Sequence, residues 1–269
     1  LGYSMVYGII RLINFAHGDI IMVASFVVWY LIARLNVPVW LSILICVAFT
    51  SLLGVAIEKL AYKPLRHSAR ISLLITAIGI SFFLQNAAQL IFGADPVMFE
   101  NLFPGNLSLG ALTVSRVSVI IICVSIVLMI ALVLLVNKTR MGRAMRAVSE
   151  DESTAALMGI NVNTTISFAF ALGSALAAVA AILYSCAYTQ ISPTMGGMLG
   201  LKAFVAAVLG GIGSIPGAML GGILIGICET LTKAYISSSF ADAIVFGILI
   251  VVLIIRPSGL LGVKTKEKV

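Results

Sequence analysis

Long runs of apolar residues constrain the fold of this chain more than any other feature. A helix needs about 20 mostly apolar residues to cross a bilayer, and these runs lack the alternation over about ten residues that marks barrel strands. Candidate spans are Ile20–Leu35, Val39–Ile57, Ile71–Phe92, Val117–Val136, Thr164–Tyr188, a glycine-broken stretch Leu201–Tyr235, and Phe240–Ile255. The opening stretch Leu1–Ile13 is too short to span alone, and we interpret it as the end of a spanning segment. We predict an all-α integral membrane protein, a polytopic helical bundle of about seven or eight spans, with residues 1–269 forming one transmembrane domain.

The scarcity of charge supports the membrane assignment. Charged residues make up 10% and hydrophobic residues 61% of the 269 residues, whereas a soluble domain carries about 25% charged residues. Lipid solvates an apolar exterior that a soluble chain could not cover. Net charge is +7, which we attribute to the positive-inside bias rather than to nucleic-acid binding, because no soluble fold is visible that would present a basic patch.

The basic residues also predict the orientation. Segments Glu58–Arg70 and Asn137–Asn163 and the tail after Ile255 are rich in Lys and Arg, whereas Gly93–Arg116 has two acids and a single base. The positive-inside rule places the first three in the cytoplasm and Gly93–Arg116 outside.

The cytoplasmic loop 137–163 contains the pattern of a short helix. Ser149 and Glu152 have the spacing of a capping box, and three consecutive acids suit the positive end of a helix dipole. Gly159 is suited to end the helix in a left-handed conformation. The pattern predicts a helix from about Glu150 to Met158.

This short helix is expected to dock rather than to remain solvated. A helix of fewer than three turns is marginal in water by itself. Ala155 and Ala156 give it a face with little bulk. We therefore expect it to pack on its own subunit or on a partner.

Two interruptions of the apolar runs are candidates for a transport pathway. They are the polar cluster Asn14–Asp19 and the glycine-rich segment Gly210–Gly217. Unpaired polar groups in a bilayer cost a few kcal/mol each, and irregular backbone is tolerated there only against protein or a water-filled path. Interrupted segments in both halves of a chain are typical of transporters. A turn between helices is an equal alternative for the first interruption, whereas we interpret the second as a re-entrant or broken helix. The candidate pathway residues are Asn14, His17, Asp19, Lys202, Gly211, Gly213 and Ser214.

Other residues in the second half suggest helix contacts. Lys202 either extends to the membrane interface or faces the pathway, and Glu229 can pair with Lys233 one helical turn later. Small-residue spacings that permit close helix packing are Gly217/Gly221, Gly222/Gly226 and Ala169/Gly173/Ala177.

No motif for catalysis is visible. The sequence has no Walker A, HExxH or GxSxG motif, and only His17 and His67 could serve a catalytic triad. The four cysteines lie far apart in apolar stretches, which favours buried thiols over a disulfide or metal framework. We predict a chain that is not an enzyme, with no cofactor or metal of its own.

Several blocks of the sequence resemble the permeases of branched-chain amino acid ABC transporters. In family order they are Tyr3–Gly18, Tyr62–Arg66, Thr76–Asn86, Gly142–Asn161, Lys202–Gly222 and Arg256–Leu260. The similarity runs across nearly the whole chain, and the chain departs from the family pattern at the front, where part of the first family helix is missing.

The resemblance implies a multi-pass permease in the bacterial cytoplasmic (inner) membrane that forms the pathway for leucine, isoleucine or valine. It also implies a second permease subunit, homologous or identical, an extracytoplasmic solute-binding protein, and two cytoplasmic ATPase subunits that use ATP and Mg. Segment Gly142–Asn161 matches the family's coupling segment. The residues expected to contact the ATPase are Arg143, Arg146, Glu150, Asp151, Glu152, Ala155, Ala156 and Gly159.

Alternative functions stay open at this point. A permease for urea or short amides would look alike, because the binding protein largely selects the solute. An ATP-independent secondary transporter would need intramembrane carboxylates, and only Asp19, Glu229 and Asp242 lie near membrane segments. That alternative also leaves the capped cytoplasmic helix unexplained, and a structural scaffold would leave the glycine-broken helices unexplained.

Overall fold

The computed structural model describes residues 1–10, 14–66, 68–109, 112–256 and 258–262. Predictions that concern residues 11–13, His67, Pro257 or the lysines of the tail lie outside these ranges. The helices are α1 (Gly2–Ile10), α2 (His17–Ala33), α3 (Val39–Ile57), α4 (Lys63–Leu65), α5 (Arg70–Phe92), α6 (Arg116–Lys138), α7 (Arg140–Glu150), α8 (Glu152–Leu157), α9 (Val162–Ala187), α10 (Met195–Gly210), α11 (Ile215–Tyr235) and α12 (Ala241–Ile255). A π-helical turn, Glu58–Tyr62, joins α3 to α4, and a 3-10 turn, Ser238–Phe240, precedes α12.

Apolar helices dominate the described chain, which confirms the prediction of a helical, polytopic membrane protein. Six helical segments are long and apolar enough to cross a membrane: Val39–Leu65, Ile71–Phe92, Arg116–Lys138, Val162–Ala187, Ile215–Tyr235 and Ser238–Ile255. Two further apolar helices, α2 and α10, have only 17 and 16 residues. At 1.5 Å per residue each is about 25 Å long, which is shorter than the hydrocarbon core. These short helices are the ones that adjoin the two predicted interruptions.

Helix α9 is the centre of the larger core and packs most extensively against α3, α2 and α1. Its small residues Ala169, Gly173 and Ala177 are buried, as their spacing predicted. A methyl group added to Gly173 would lie 2.8 Å from a Val6 side-chain carbon. The absence of side-chain bulk on this face therefore allows α1 and α9 to approach closely.

Helices α10, α11 and α12 form a smaller cluster with its own buried residues Val205, Leu209, Ile225 and Val245. Gly217 and Gly221 face α10, where an added methyl group would overlap the backbone at Gly210 and Ala206. This pair is therefore used for packing within the subunit. The Gly222/Gly226 pair differs, because a methyl group at Gly226 would meet nothing within 4 Å.

Short strands shape the end of the bundle that we predict to be extracytoplasmic. Strand β1 (Val97–Met98) pairs antiparallel with β4 (Gln190–Ile191), and β2 (Asn106–Leu109) pairs antiparallel with β3 (Leu112–Ser115). The sequence analysis assigned no regular structure to this region. The Trp29 indole N–H donates to the Met98 carbonyl at 3.1 Å, which ties α2 to this strand pair.

Candidate functional site

The first interruption, between α1 and α2, is buried among helices of the same subunit. Asn14 and His17 are each 5% exposed. The Tyr62 hydroxyl donates to Asn14 Oδ1 at 2.9 Å, and this bond connects the interruption to the π-helical turn after α3. The His17 ring stands almost perpendicular to that of Tyr3, with centroids 5.7 Å apart.

Asp19 is a fully buried carboxylate that is held by neutral donors. Its side chain accepts from the Ser81 hydroxyl at 2.5 Å and from the Gln85 amide at 2.9 Å. Both donors lie on α5, so a polar contact joins α2 to α5 inside the bundle. Gln85 thus forms an interhelical hydrogen bond, in keeping with the rule that a buried polar group requires a partner.

Glycine contacts fix the same part of α2 against α10. A methyl group on Gly18 would overlap the backbone of Gly196 and Gly200. Gly196 in turn faces Asp19, which leaves no room for a side chain there. The start of α2 therefore requires glycine on both sides of the contact.

The second interruption is a tight turn between antiparallel helices. The glycine-broken stretch was predicted to begin at Leu201, whereas its first helix, α10, begins at Met195. Helix α10 ends at Gly210, and α11 starts at Ile215. Gly211 and Gly213 have φ angles of 108° and 84°, which side-chain-bearing residues rarely adopt.

Hydrogen bonds cap both helices at this turn. The Ser214 hydroxyl accepts from the Gly217 N–H at 3.2 Å and caps α11. The N–H groups of Leu260 and Leu261 donate to the carbonyls of Leu209 and Gly210 at 2.9 Å each. The segment after α12 thus satisfies carbonyl groups that the end of α10 would leave without partners.

Helix α1, which precedes the first interruption, contacts the second interruption. The Ser4 hydroxyl donates to the Ser214 carbonyl at 3.4 Å, and a methyl group on Gly8 would lie 3.0 Å from Gly213 Cα. Helix α1 therefore contacts the α10–α11 turn directly. The described side-chain contacts of the first interruption go to other elements. Asn14 bonds to the turn after α3, the His17 ring contacts α1, and Asp19 bonds to α5.

Lys202 lies in a network of charges that links α10, α11 and α12. Its ammonium is 2.9 Å from Glu229 Oε1 and 2.8 Å from Asp242 Oδ1. The predicted pair of Glu229 and Lys233 is confirmed at 2.6 Å. The side chains of Lys202 and Glu229 are 23% and 16% exposed, so these charges are partly desolvated and mutually compensated.

The start of α8 differs from the prediction. Ser149 lies inside α7, where its hydroxyl donates to the Arg146 carbonyl, and the capping box with Glu152 does not form. The residue that caps α8 is Asp151, whose Oδ1 accepts from the N–H groups of Ser153 and Thr154 at 2.8 and 3.1 Å. Helix α7 continues through Ser149 because its face that includes Met145 and Val148 is buried.

The cap also affects the acidity of Asp151. Hydrogen bonds from the Ser153 hydroxyl, and then from the N–H and hydroxyl of Thr154, lower its pKa to about 2. A lowered folded-state pKa means that the contribution of the cap is complete above the ordinary carboxyl pKa and is lost as the pH falls through about 2.

The end of α8 forms as predicted, one residue earlier than Met158. Gly159 has a φ of 82°, its N–H donates to the Ala156 carbonyl, and the N–H of Ile160 donates to the Ala155 carbonyl. This pair of bonds is a Schellman motif. Because Asn161 then caps α9 through the Thr164 N–H, α8 is held between two capped boundaries.

One face of α8 is buried and the other carries large exposed apolar side chains. Ala155 is 4% exposed, whereas Leu157 and Met158 are 87% and 78% exposed. Ala156, Glu150, Asp151 and Gly159 are also exposed, as are Arg143 and Arg146 on α7, and Glu152 is half-buried. Leu157 and Met158 were not predicted as part of the site. Two large apolar residues in a polar loop, just before the glycine that ends the helix, could have indicated an exposed contact surface.

A second feature missed from the sequence is a buried ion pair at the same end of the bundle. Glu58 is fully buried, and Arg66 Nη2 lies 2.8 Å from its Oε1. Ser167 on α9 donates to Glu58 Oε2 at 2.6 Å, and Arg66 Nη1 donates to Asn163 Oδ1 at 3.0 Å. The π-helical turn is thereby attached to the first turns of α9, just after α8.

No metal-binding constellation was found within the described ranges: they contain no group of three or more His, Cys, Asp or Glu side chains that could hold an ion. The four cysteines are free thiols. The candidate site in the described ranges consists instead of the two interruptions between apolar helices and of the capped helix α8, at the end of the bundle that is rich in Lys and Arg.

Comparison with known proteins supports this description. The family model for the permease component of the branched-chain amino acid transport system matches residues 1–253. The chain is 43% identical to the high-affinity branched-chain amino acid transport system permease protein LivH of Escherichia coli K12 and to its counterpart BraD of Pseudomonas aeruginosa, over all of this chain and 92% of each relative. It is 32% identical to a probable LivH of Methanocaldococcus jannaschii, over 99% of this chain and 88% of the relative. No solved structure matches.

The fold and the two interruptions define a polytopic membrane permease. The chain belongs to the family of permease components of branched-chain amino acid transport systems.

Proposed function

We propose that this chain forms part of the pathway through which an ATP-driven importer carries leucine, isoleucine and valine across the bacterial cytoplasmic membrane. The observation that carries the proposal is similarity along the entire chain to permeases of branched-chain amino acid transport systems. In this proposal the chain pairs with a second permease subunit and receives its solute from an extracytoplasmic binding protein. Two separate ATPase subunits bind ATP and Mg and perform the hydrolysis.

Helix α8 is the proposed contact with the ATPase. It displays Ala156, Leu157 and Met158 to solvent while Ala155 anchors it. Apolar side chains this exposed at the basic end of a subunit mark an interaction surface. The basic residues Arg143 and Arg146 and the acidic residues at 150–152 surround this surface and would set the orientation of docking.

The remaining candidates form the wall of the pathway rather than an affinity site in this proposal. Asn14, His17 and Asp19 hold the start of α2, and Gly211, Gly213 and Ser214 form the turn that contacts α1. Lys202 joins the α10–α12 cluster. Two states of the bundle must be close in free energy for the ATPase to shift their balance. Helix α1 contacts both interruptions and α7, so it connects the proposed pathway to the helix that precedes α8.

An Ala156→Arg variant tests the coupling surface. We expect it to insert into the membrane at the normal level but to lose co-purification with the ATPase subunits, because a large cation would occupy the docking face. Ala234→Arg is the matched control. Ala234 is also an exposed alanine, but it lies at the end of α11 that is far from the α10–α11 turn. Normal ATPase retention by Ala156→Arg would refute the coupling assignment.

The substrate assignment is tested by ATPase stimulation in the reconstituted complex. Leucine, isoleucine or valine, added with the binding protein, should raise the hydrolysis rate, whereas urea and acetamide should not. If urea or acetamide raised the rate and the three amino acids did not, the chain would still be a subunit of an ATP-driven importer, but one for urea or short amides.

A further inference from the structure

A cavity of about 310 Å³ lies between α1, α6, α7 and the turn that joins α10 to α11. Its volume is at the small end of the range for ligand sites, about 300–1,000 Å³. Apolar side chains from each of these elements line it, including Met5, Val136, Met145 and Ile215. The cavity lies at the basic end of the bundle, which the positive-inside rule places toward the cytoplasm.

One of the described polar side chains that line the cavity, Arg146, is charged, and Asn137, Ser149 and Ser214 are neutral. Arg146 is a lining residue, and its Nη1 donates to Asn137 Oδ1 at 3.1 Å. This bond and a second one, from Nη2 to the Asn137 carbonyl at 3.5 Å, hold the guanidinium at the end of α6. Further N–H groups stay available, because arginine has five donors. Ser149 and Ser214 also line the cavity. None of the described lining residues is an Asp or Glu.

We propose that this cavity binds a small aliphatic carboxylate from the cytoplasm. A guanidinium recognises the two oxygens of a carboxylate through parallel hydrogen bonds, and the apolar walls accommodate a short alkyl chain. A zwitterionic amino acid fits less well, because no described lining side chain offers a charge partner for its ammonium group. The site therefore differs in chemistry from the proposed cargo, although it shares Gly213 and Ser214 with the proposed wall of the pathway and Arg146 with the surroundings of the proposed docking surface.

The test is a ligand-observed NMR titration of 4-methylpentanoate. The full chain, with the subunits that co-purify, is placed in phosphatidylcholine nanodiscs. A ligand of about eight non-hydrogen atoms is expected to bind with a dissociation constant of about 1 mM. The neutral analogue 4-methylpentanamide has almost the same shape and should bind about tenfold or more weakly, because it lacks the charge that Arg146 recognises.

Two variants examine the site itself. Arg146→Gln should weaken carboxylate binding about tenfold, and Val136→Trp should abolish it by filling the cavity while keeping Arg146. Arg140→Gln is the control, because it removes an exposed arginine of the same helix that does not line the cavity. If Arg146→Gln fails to fold, Val136→Trp and the amide comparison still decide the matter.

Three results would overturn the proposal: equal binding of the amide or of leucine, unchanged binding in Val136→Trp, or displacement of 4-methylpentanoate by phosphatidylglycerol added to the nanodiscs. The last result would assign the cavity to a lipid headgroup. Because the titration uses neither transport nor ATP, its failure would leave the proposed import function untouched.

Discussion

The two interruptions look alike in the sequence and differ in the structure. The segment between α1 and α2 is held at depth by side chains: Asp19 is fully buried and bonded to α5, and Asn14 is bonded to Tyr62. The segment between α10 and α11 is held by its backbone, through the left-handed residues Gly211 and Gly213. Burial also differs between Asp19, which has no exposed surface, and Gly213, which is exposed, although Gly211 in the same turn is buried against Gly262.

This difference indicates where each segment is vulnerable. A buried interruption depends on complementary polar groups and on glycine contacts that no side chain can replace. An exposed turn residue such as Gly213 depends mainly on the conformation that it must adopt. Substitutions at Gly18 and Asp19 should therefore cost more free energy of unfolding than substitutions at Gly213 and Ser214.

The largest effect is expected for Gly18→Ala. Its new methyl group would overlap the backbone of α10, so α2 and α10 must separate, and we expect a loss of about 3 kcal/mol in unfolding free energy. The measurement is unfolding in a mixed-detergent titration. Gly79→Ala on α5 is the matched control, because nothing lies within 4 Å of its added methyl group. Similar stabilities for both variants would refute the close α2–α10 contact.

A smaller effect is expected for Asp19→Leu. This change removes the acceptor of the Ser81 hydroxyl and leaves the Gln85 amide only its 3.3 Å bond to Ser81 Oγ, at a cost of about 2 kcal/mol. Asp19→Asn retains an oxygen acceptor of nearly the same shape and should cost less. The same detergent titration compares the two variants, and equal losses would show that the hydrogen bonds to α5 do not stabilise this segment.

The second interruption should respond mainly to backbone strain. Gly213→Ala is expected to cost about 1 kcal/mol, because alanine is disfavoured at a φ of 84°. Its methyl group would lie 3.5 Å from Gly8 Cα, an ordinary contact. Gly213→Asn should cost less, since asparagine tolerates this conformation. If alanine were as stable as glycine here, the left-handed turn would be incorrect.

The smallest effect is expected for Ser214→Ala. Loss of the hydroxyl removes the cap of α11 and should cost about 0.5 kcal/mol, at the lower end of measured caps. The bond from Ser4 to the Ser214 carbonyl remains. Ser214→Asp keeps a capping oxygen and should restore the stability measured by the same titration. A larger loss than for Gly18→Ala would reverse the comparison between the two segments.

Much of the fold could be predicted because the membrane imposes one dominant pattern. Runs of apolar residues located α3, α5, α6, α9 and α12 closely, and glycine spacing predicted the contacts of Gly173 and Gly217. The pattern could not predict that α10 begins at Met195, because glycines at 196, 197 and 200 disfavour a helix by intrinsic propensity. The packing of Gly196 and Gly200 against α2 outweighs that propensity.

The candidate site was predictable in its location and less so in its details. Gly159 could be predicted as a helix stop because few other residues adopt its conformation. The choice between Ser149 and Asp151 as the cap could not be predicted, because both are good caps and burial of α7 decides between them. The partners of Lys202 and Glu58 depend on tertiary contacts between residues far apart in sequence.

The most direct test of the account is uptake of radiolabelled leucine into proteoliposomes. The liposomes would contain this chain with the second permease, ATPases and binding protein of the proposed importer. We predict uptake that requires both ATP and the binding protein, that is competed by isoleucine and valine, and that is lost in Ala156→Arg. Leucine uptake by this chain alone, without ATP, would contradict the account and indicate a secondary transporter.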